Sequence, residues 1–212
     1  MYAIVDIETT GGYAANHRIT EVAVFLHDGM QITDTYHTLI NPGRAIPYYI
    51  TGLTGISTEM VLDAPTFEDI AEDLYNLLEG KIFVAHNAQF DYSFLKREFE
   101  LAGVTWQAKK LCTVRLSRKI IPGLRSYNLG SLAESLGIEI ENRHRASGDA
   151  HATVKIFDLL LRRDRDNHIA KALKRNSGET ILPPNLAREE FDRLLFFECA
   201  RPGDLCWQSH QH

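Results

Sequence analysis

The segment Tyr2-Ala3-Ile4-Val5-Asp6-Ile7-Glu8 constrains the fold more than any other, because it reads as a buried strand yet ends in two acids. Strand side chains alternate between faces, so Asp6 and Glu8 emerge on the same one. Two carboxylates about 4 Å apart repel by roughly 4 kcal/mol at an effective dielectric near 20, so a buried pair calls for a counter-charge. A divalent cation supplies it, and Mg²⁺ or Mn²⁺ prefers such oxygen ligands. From the D-x-E spacing alone, a strand that ends at Val5 and leaves both acids solvated is equally well supported.

Two further segments add to the pair. His86-Asn87-Ala88-Gln89-Phe90-Asp91 lies near the middle of the chain, and His144-Arg145-Ala146-Ser147-Gly148-Asp149-Ala150 follows. His144 precedes Asp149 by five positions. In this order the three segments resemble the exonuclease motifs of the DEDDh, or DnaQ-like, 3′-to-5′ exonuclease superfamily, among whose members is the epsilon proofreading subunit of bacterial DNA polymerase III. The resemblance runs from about residue 2 to about residue 161. It implies an α/β chain of the ribonuclease-H-like fold, a five-stranded mixed sheet flanked by helices. It also implies two divalent cations, Mg²⁺ or Mn²⁺, held by Asp6, Glu8, Asp91 and Asp149, with His144 as general base. In that scheme Asp6 touches both ions, Glu8 and Asp149 hold the ion that binds the attacking water, and Asp91 supports the other largely through water. Two-metal hydrolysis clamps the attacking and leaving oxygens between ions about 3.5 to 4 Å apart. A histidine, with an unperturbed pKa of about 6.5, suits proton removal near pH 7.

By the same resemblance Thr9, Thr10 and Gly11 line the 3′-terminal nucleotide site, Asn87 and Phe90 contact its phosphate and its base or sugar, and Leu53 wedges against the terminal bases. Thr54 stands where the family commonly has a histidine, a departure from the family pattern at these terminal contacts. Leu53 and Ile56 also suit ordinary core positions. His86 follows a buried strand and is expected to serve the fold rather than act as a second base.

The implied substrate is a single-stranded or frayed 3′ end of DNA, with RNA as the alternative polymer. A DNA polymerase or another nuclease domain is the implied partner. The phrase Ile181-Leu182-Pro183-Pro184-Asn185 looks like a connector that leads into a GIY-YIG nuclease domain in some bacterial relatives, whereas the tail shows no glutamine-led clamp-binding motif. Two other classes of function compete. Asp6-x-Glu8-x-Thr10 resembles a haloacid-dehalogenase phosphatase motif, but that family has a second aspartate where Glu8 stands. A non-catalytic binding module is disfavoured by the presence of all five catalytic positions.

Composition agrees with one sizeable core. The chain has 212 residues, 44% of them hydrophobic. It has no 18-residue apolar run, and its N-terminus enters a strand at once, so a cytoplasmic protein without a membrane partner is expected. Cys112, Cys199 and Cys206 form no paired framework, and Cys199 and Cys206 with His210 and His212 match no common zinc spacing. A net charge of −5 is unevenly spread, being −10 over 1–108, +5 over 109–145 and 0 beyond. The basic stretch holds Lys109, Lys110, Arg115, Arg118, Lys119, Arg125, Arg143 and Arg145, a candidate phosphate-binding surface or a solvated helix face.

The remaining elements follow from periodicity and turn chemistry. Segments 19–27 and 30–40 form a hairpin about Asp28-Gly29, 41–55 reads as a loop, and Ser57 caps a short helix. Pro65-Thr66 opens a helix with Phe67, Ile70, Leu74, Leu77 and Leu78 on one stripe, ended by Gly80. A strand at 81–85, a helix at 88–101, a short strand near 111–114 and helices near 113–120 and 127–136 come next. A further helix starts near Ser147 and turns Val154, Phe157, Leu160 and Leu161 inward. Acids early in these helices are also ordinary helix chemistry. The expected domain spans 1–165, with 166–212 as linker and tail and one amphipathic helix near 187–197.

Overall fold

The computed structural model describes residues 1–175. Its five strands are β1 (Tyr2–Thr9), β2 (Ile19–His27), β3 (Ile32–Leu39), β4 (Ile82–Ala85) and β5 (Lys110–Cys112), in the sheet order β3-β2-β1-β4-β5. The first three pair antiparallel, and β4 and β5 join parallel to β1. The mixed sheet expected from a leading hairpin and later β-α alternation is therefore present. β1 and β2 carry mostly buried residues, while β3 is largely exposed at one edge.

Alternation along β1 sorts its side chains between two helical layers. Ala3, Val5 and Ile7 enter a core with α3 (Phe67–Leu78) and α4 (Gln89–Leu101), including Leu74, Phe94, Leu95 and Phe99. Ile4 enters a second core with Leu116 of α5 (Thr113–Ile120), Leu132 of α6 (Leu129–Ser135) and Phe157 and Leu160 of α7 (Ala146–Arg163). Asp6 and Glu8 continue the register of Ile4. They lie on the α7 side, past the point where the apolar layer ends.

Local chemistry explains most boundaries. Thr66 caps α3 through a capping box with Asp69, and Ser57 accepts from the N–H of Met60 to start the four-residue α2 (Thr58–Val61). α7 comes close to the sheet because only small residues, Ala146 and Ala150, face Ala23 of β2.

Two helices depart from the sequence expectation. Residues 48–54 form α1 (Tyr48–Thr54) inside the segment read as a loop. Its proline and glycine lie at the ends or mid-turn, and what holds it is packing: Ile46 and Ile50 bury with Ile56 and Val61. After residue 165 the chain forms α8 (His168–Arg175), where a linker was expected. α7 ends at Asp164, whose carboxylate accepts the N–H groups of His168 at 2.7 Å and Ile169 at 2.9 Å and so caps the start of α8. Ile169, Ala172 and Leu173 then pack into the second core. The expected helix at 187–197, the connector at 181–185 and Cys199, Cys206, His210 and His212 lie outside the described residues. No helix among the described residues is long and apolar enough to cross a membrane.

Candidate active site

The acids converge at the carboxyl end of β1. Glu8 is the last regular pair of the β1–β2 ladder, opposite Glu21, and the register shifts between Glu8 and Thr9. Bulges of this kind re-aim side chains beside sites. Asp149 arrives from the first turn of α7, and ligand oxygens of Asp6, Glu8 and Asp149 lie within 4.8 Å of one another. Asp91 arrives from the first turn of α4, on the other side of the sheet, outside that group of three but close enough to raise Asp6, with the Ile7 N–H favouring its charged form.

Their electrostatics follow from that crowding. Burial pushes Asp91 up to about 8, against hydrogen bonds from its own N–H and that of Ile7. Burial, and then repulsion from Asp91, Asp149, Glu8 and Glu21, holds Asp6 well above the usual carboxylate range. Burial and the charges of Asp149, Glu21 and Asp91 raise Glu8 in the same way, with Arg145 opposing them. An oxygen-only donor set whose carboxylates repel one another fits hard divalent cations, whose charge removes the repulsion. Both Mg²⁺ and Mn²⁺ suit such ligands.

His144 sits in the loop that leads into α7, with its backbone N–H 3.2 Å from Asp149 Oδ2. Its φ of 61° is left-handed, and so is that of nearby Asn142 at 51°. The loop lies against α7 at Gly148, where a Cβ would fall on the carbonyl oxygen of Glu141 and 2.6 Å from that of Asn142. Glycine is required there by close backbone approach.

Other expected site residues have distinct local roles. The Thr9 hydroxyl donates to the Gly11 carbonyl at 2.8 Å, and Thr10 Oγ1 lies 3.2 Å from His17 Nδ1 and accepts the N–H of Arg18. The His17 ring fills the space that a side chain at Gly11 would take. Asn87, at a φ of 67°, turns the chain from β4 towards α4, and its carbonyl accepts the N–H of Phe90. Phe90 packs on Phe94 with ring centroids 4.9 Å apart. Leu53 is 38% exposed, whereas Ile56 is fully buried in the α1–α2 core. Thr54, at the position where the resemblance expects histidine, is buried and bonds Ile50 and Ile56.

His86 braces the fold. Its Nε2 donates to the Tyr127 carbonyl at 3.0 Å, and its Nδ1 lies 2.9 Å from Thr113 Oγ1. Burial pushes it down to about 4, so it is neutral at physiological pH. The basic stretch divides. Lys110 lies over the Tyr92 ring and donates to Gln89, and the Arg143 guanidinium packs over Gly130. Arg145 is committed to Glu21, 2.6 Å from Oε1. Sequence reading missed Glu21, a fully buried acid opposite Glu8. Its one sequence signal was a charge inside an otherwise apolar strand.

Comparison with known proteins identifies the family and the fold. The model of the RNase_T family, described as Exonuclease, matches residues 3–157. The 3′-5′ exonuclease DinG of Staphylococcus epidermidis is 32% identical over 214 residues, covering 92% of this chain and 24% of that protein. The DinG of Bacillus subtilis is 39% identical over 166 residues, covering 77% of this chain and 18% of its own. This chain thus spans a quarter or less of the length of these relatives. Among solved structures, Exonuclease X in complex with 5′ overhanging duplex DNA aligns over 84% of this chain and 100% of its own, with a TM-score of 0.68 and 26% identity. The nuclease domain of 3′hExo, a DEDDh family member, shares the fold with a TM-score of 0.67 over 77% of this chain and 92% of its own, at 20% identity. With its family match covering most of the sequence and its acids gathered at the end of β1, the chain belongs to the RNase_T exonuclease family.

Proposed function

We propose that this chain is a metal-dependent 3′-to-5′ exonuclease domain that releases nucleotides from single-stranded or frayed 3′ ends of DNA, in proofreading or repair. The observation that carries the proposal is the convergence of Asp6, Glu8 and Asp149 within 4.8 Å, in a chain of this family. DNA is favoured because Exonuclease X, a structural neighbour, is described with overhanging duplex DNA. The partner proposed is a polymerase or a second nuclease domain that delivers the 3′ end. The domain itself comprises residues 1–165 together with α8.

Asp6, Glu8, Asp91 and Asp149 would hold two divalent cations, Mg²⁺ or Mn²⁺. Bound there, the cations supply the positive charge that phosphodiester hydrolysis needs at the scissile phosphate and at the attacking water. His144 would accept the proton of that water through its imidazole, and its left-handed backbone is tied to Asp149 by the His144 N–H. Thr9, Thr10 and Gly11 shape the terminal-nucleotide pocket through the turn they build, since both hydroxyls are engaged within it. Asn87 and Phe90 face the terminal phosphate and its base or sugar. Leu53 wedges at the terminal bases, which suits its exposure.

The test is digestion of matched single-stranded DNA and RNA with Mg²⁺ or Mn²⁺ by the protein, Asp6→Ala and His144→Ala. Metal-dependent hydrolysis lost in both variants, with DNA the better polymer, is expected. Equal cleavage by the variants would overturn the site assignment, and preference for RNA would overturn the choice of polymer.

A further inference from the structure

Glu21 is the acid that the proposed chemistry does not use. It stands opposite Glu8 on β2 and is completely buried. A buried carboxylate beside other acids is unfavourable unless donors surround it. Arg145 Nε donates to Oε1 at 3.1 Å and to Oε2 at 3.2 Å, and Arg145 Nη2 donates to Oε1 at 2.6 Å. The Ala146 N–H donates to Oε2 at 2.8 Å, and His37 Nε2 lies 2.8 Å from Oε1. Both oxygens are engaged, so Glu21 does not join Glu8 as a metal ligand.

The donors come from the point that matters most for the site. Arg145 and Ala146 directly follow His144 and open α7, whose first turn carries Asp149. Arg145 gives that helix no side-chain cap, and Glu21 reaches across from β2 to satisfy the first N–H instead. His144 meanwhile holds a left-handed backbone, a conformation that persists only when its surroundings fix it. On one side the fixing contact is Gly148 under Glu141 and Asn142; on the other it is the Glu21–Arg145 bridge.

We infer that Glu21 is a positioning residue, whose bridge to Arg145 and cap on Ala146 hold His144 and Asp149 in register with Asp6 and Glu8. Arg145 is then part of this clamp rather than of a phosphate-binding surface. The inference rests on the reading of His144 as general base.

The test measures kcat, KM and amide hydrogen exchange on the full chain carrying Glu21→Gln, Arg145→Gln, His144→Ala or Glu21→Gln with His144→Ala. Arg145, with its side chain 32% exposed, gives a variant expected to fold even if the buried change does not. Both clamp variants are expected to lower kcat about 10- to 100-fold, the range for partners that orient a site's ligands, with KM little changed. Amides of 141–150 should exchange faster while those of β1 do not. Adding Glu21→Gln to His144→Ala should lower kcat by less than it does in the parent, because the part of its effect that runs through His144 is already lost. Wild-type kcat and exchange in both clamp variants would overturn the inference. So would an undiminished effect of Glu21→Gln in the His144→Ala background. Full kcat in His144→Ala alone would overturn the base reading, and exchange at 141–150 would still decide whether Glu21 holds the loop.

Discussion

Asp91 faces Ile7: the backbone N–H of the residue that separates Asp6 from Glu8 favours the charged form of its carboxyl, against burial. β4 pairs with β1 only as far as Ile4, so beyond that point the first turn of α4 takes over the free edge of the strand. One strand therefore carries two acids and meets a third from another element. Burial of the Asp91 carboxyl, which outweighs this contact, sets the pH behaviour of the metal-free protein.

Asp91 is raised to about 8 by burial, and Asp6 is raised by burial and by Asp91. A carboxyl group with a higher pKa folded than unfolded binds more protons in the native state, so it stabilises at low pH. That contribution is lost as pH rises from about 3.9, the unfolded value, through the folded one. In EDTA, Tm should fall between pH 5 and about 8 by at least about 2–4 °C, the equivalent of 1 kcal/mol in a domain of this size. Mg²⁺ or Mn²⁺ should flatten the fall, because the cations bind the ionised carboxylates. Thermal denaturation across pH with and without metal checks this.

Asp91→Asn removes one of the repelling charges while keeping the side chain's size. At pH 8 in EDTA the variant should unfold about 1 kcal/mol or more less readily than the parent, since one pKa unit is worth about 1.4 kcal/mol. Its nuclease activity should fall by at least about the 100-fold seen for outer partners of metal ligands. Denaturant melts and rate assays on one preparation would show the two effects moving in opposite directions.

Gly148→Ala should disturb the His144 loop from beneath. The added Cβ meets backbone carbonyls of Glu141 and Asn142 rather than a movable side chain. A loss of about 1–3 kcal/mol, typical of overpacking, is expected together with reduced kcat. Amide exchange of 141–145 would register the displaced loop.

Leu53 and Ile56 should separate substrate contact from core. Ile56→Ala empties a fully buried position and should destabilise by about 2–5 kcal/mol. Leu53→Ala, at a 38% exposed position, should change stability by less than about 0.5 kcal/mol and raise KM for oligonucleotides instead. Equilibrium unfolding and steady-state kinetics distinguish them.

The strands and the acids were legible because their signals are local. Alternation placed Asp6 and Glu8 together, and capping residues such as Ser57 and Thr66 marked helix starts. The segment at 41–55 misled because its helix depends on Ile46, Ile50 and Ile56 meeting Val61, a tertiary fact hidden behind proline and glycine. α8 was missed although Ile169, Ala172 and Leu173 have helical spacing, since the surrounding charges suggested solvent and its cap, Asp164, lies at the end of the preceding helix. Arg145 could not be told from a phosphate-binding residue until Glu21, 124 positions away, was seen beside it.

The most direct measurement is digestion of a 5′-labelled single-stranded DNA with Mn²⁺, run beside a circular strand of the same sequence. A ladder that shortens from the 3′ end, mononucleotide products and an intact circle are expected. Cleavage of the circle, or release of the 5′ label as the first product, would contradict a 3′-to-5′ exonuclease built on Asp6, Glu8, Asp91, Asp149 and His144.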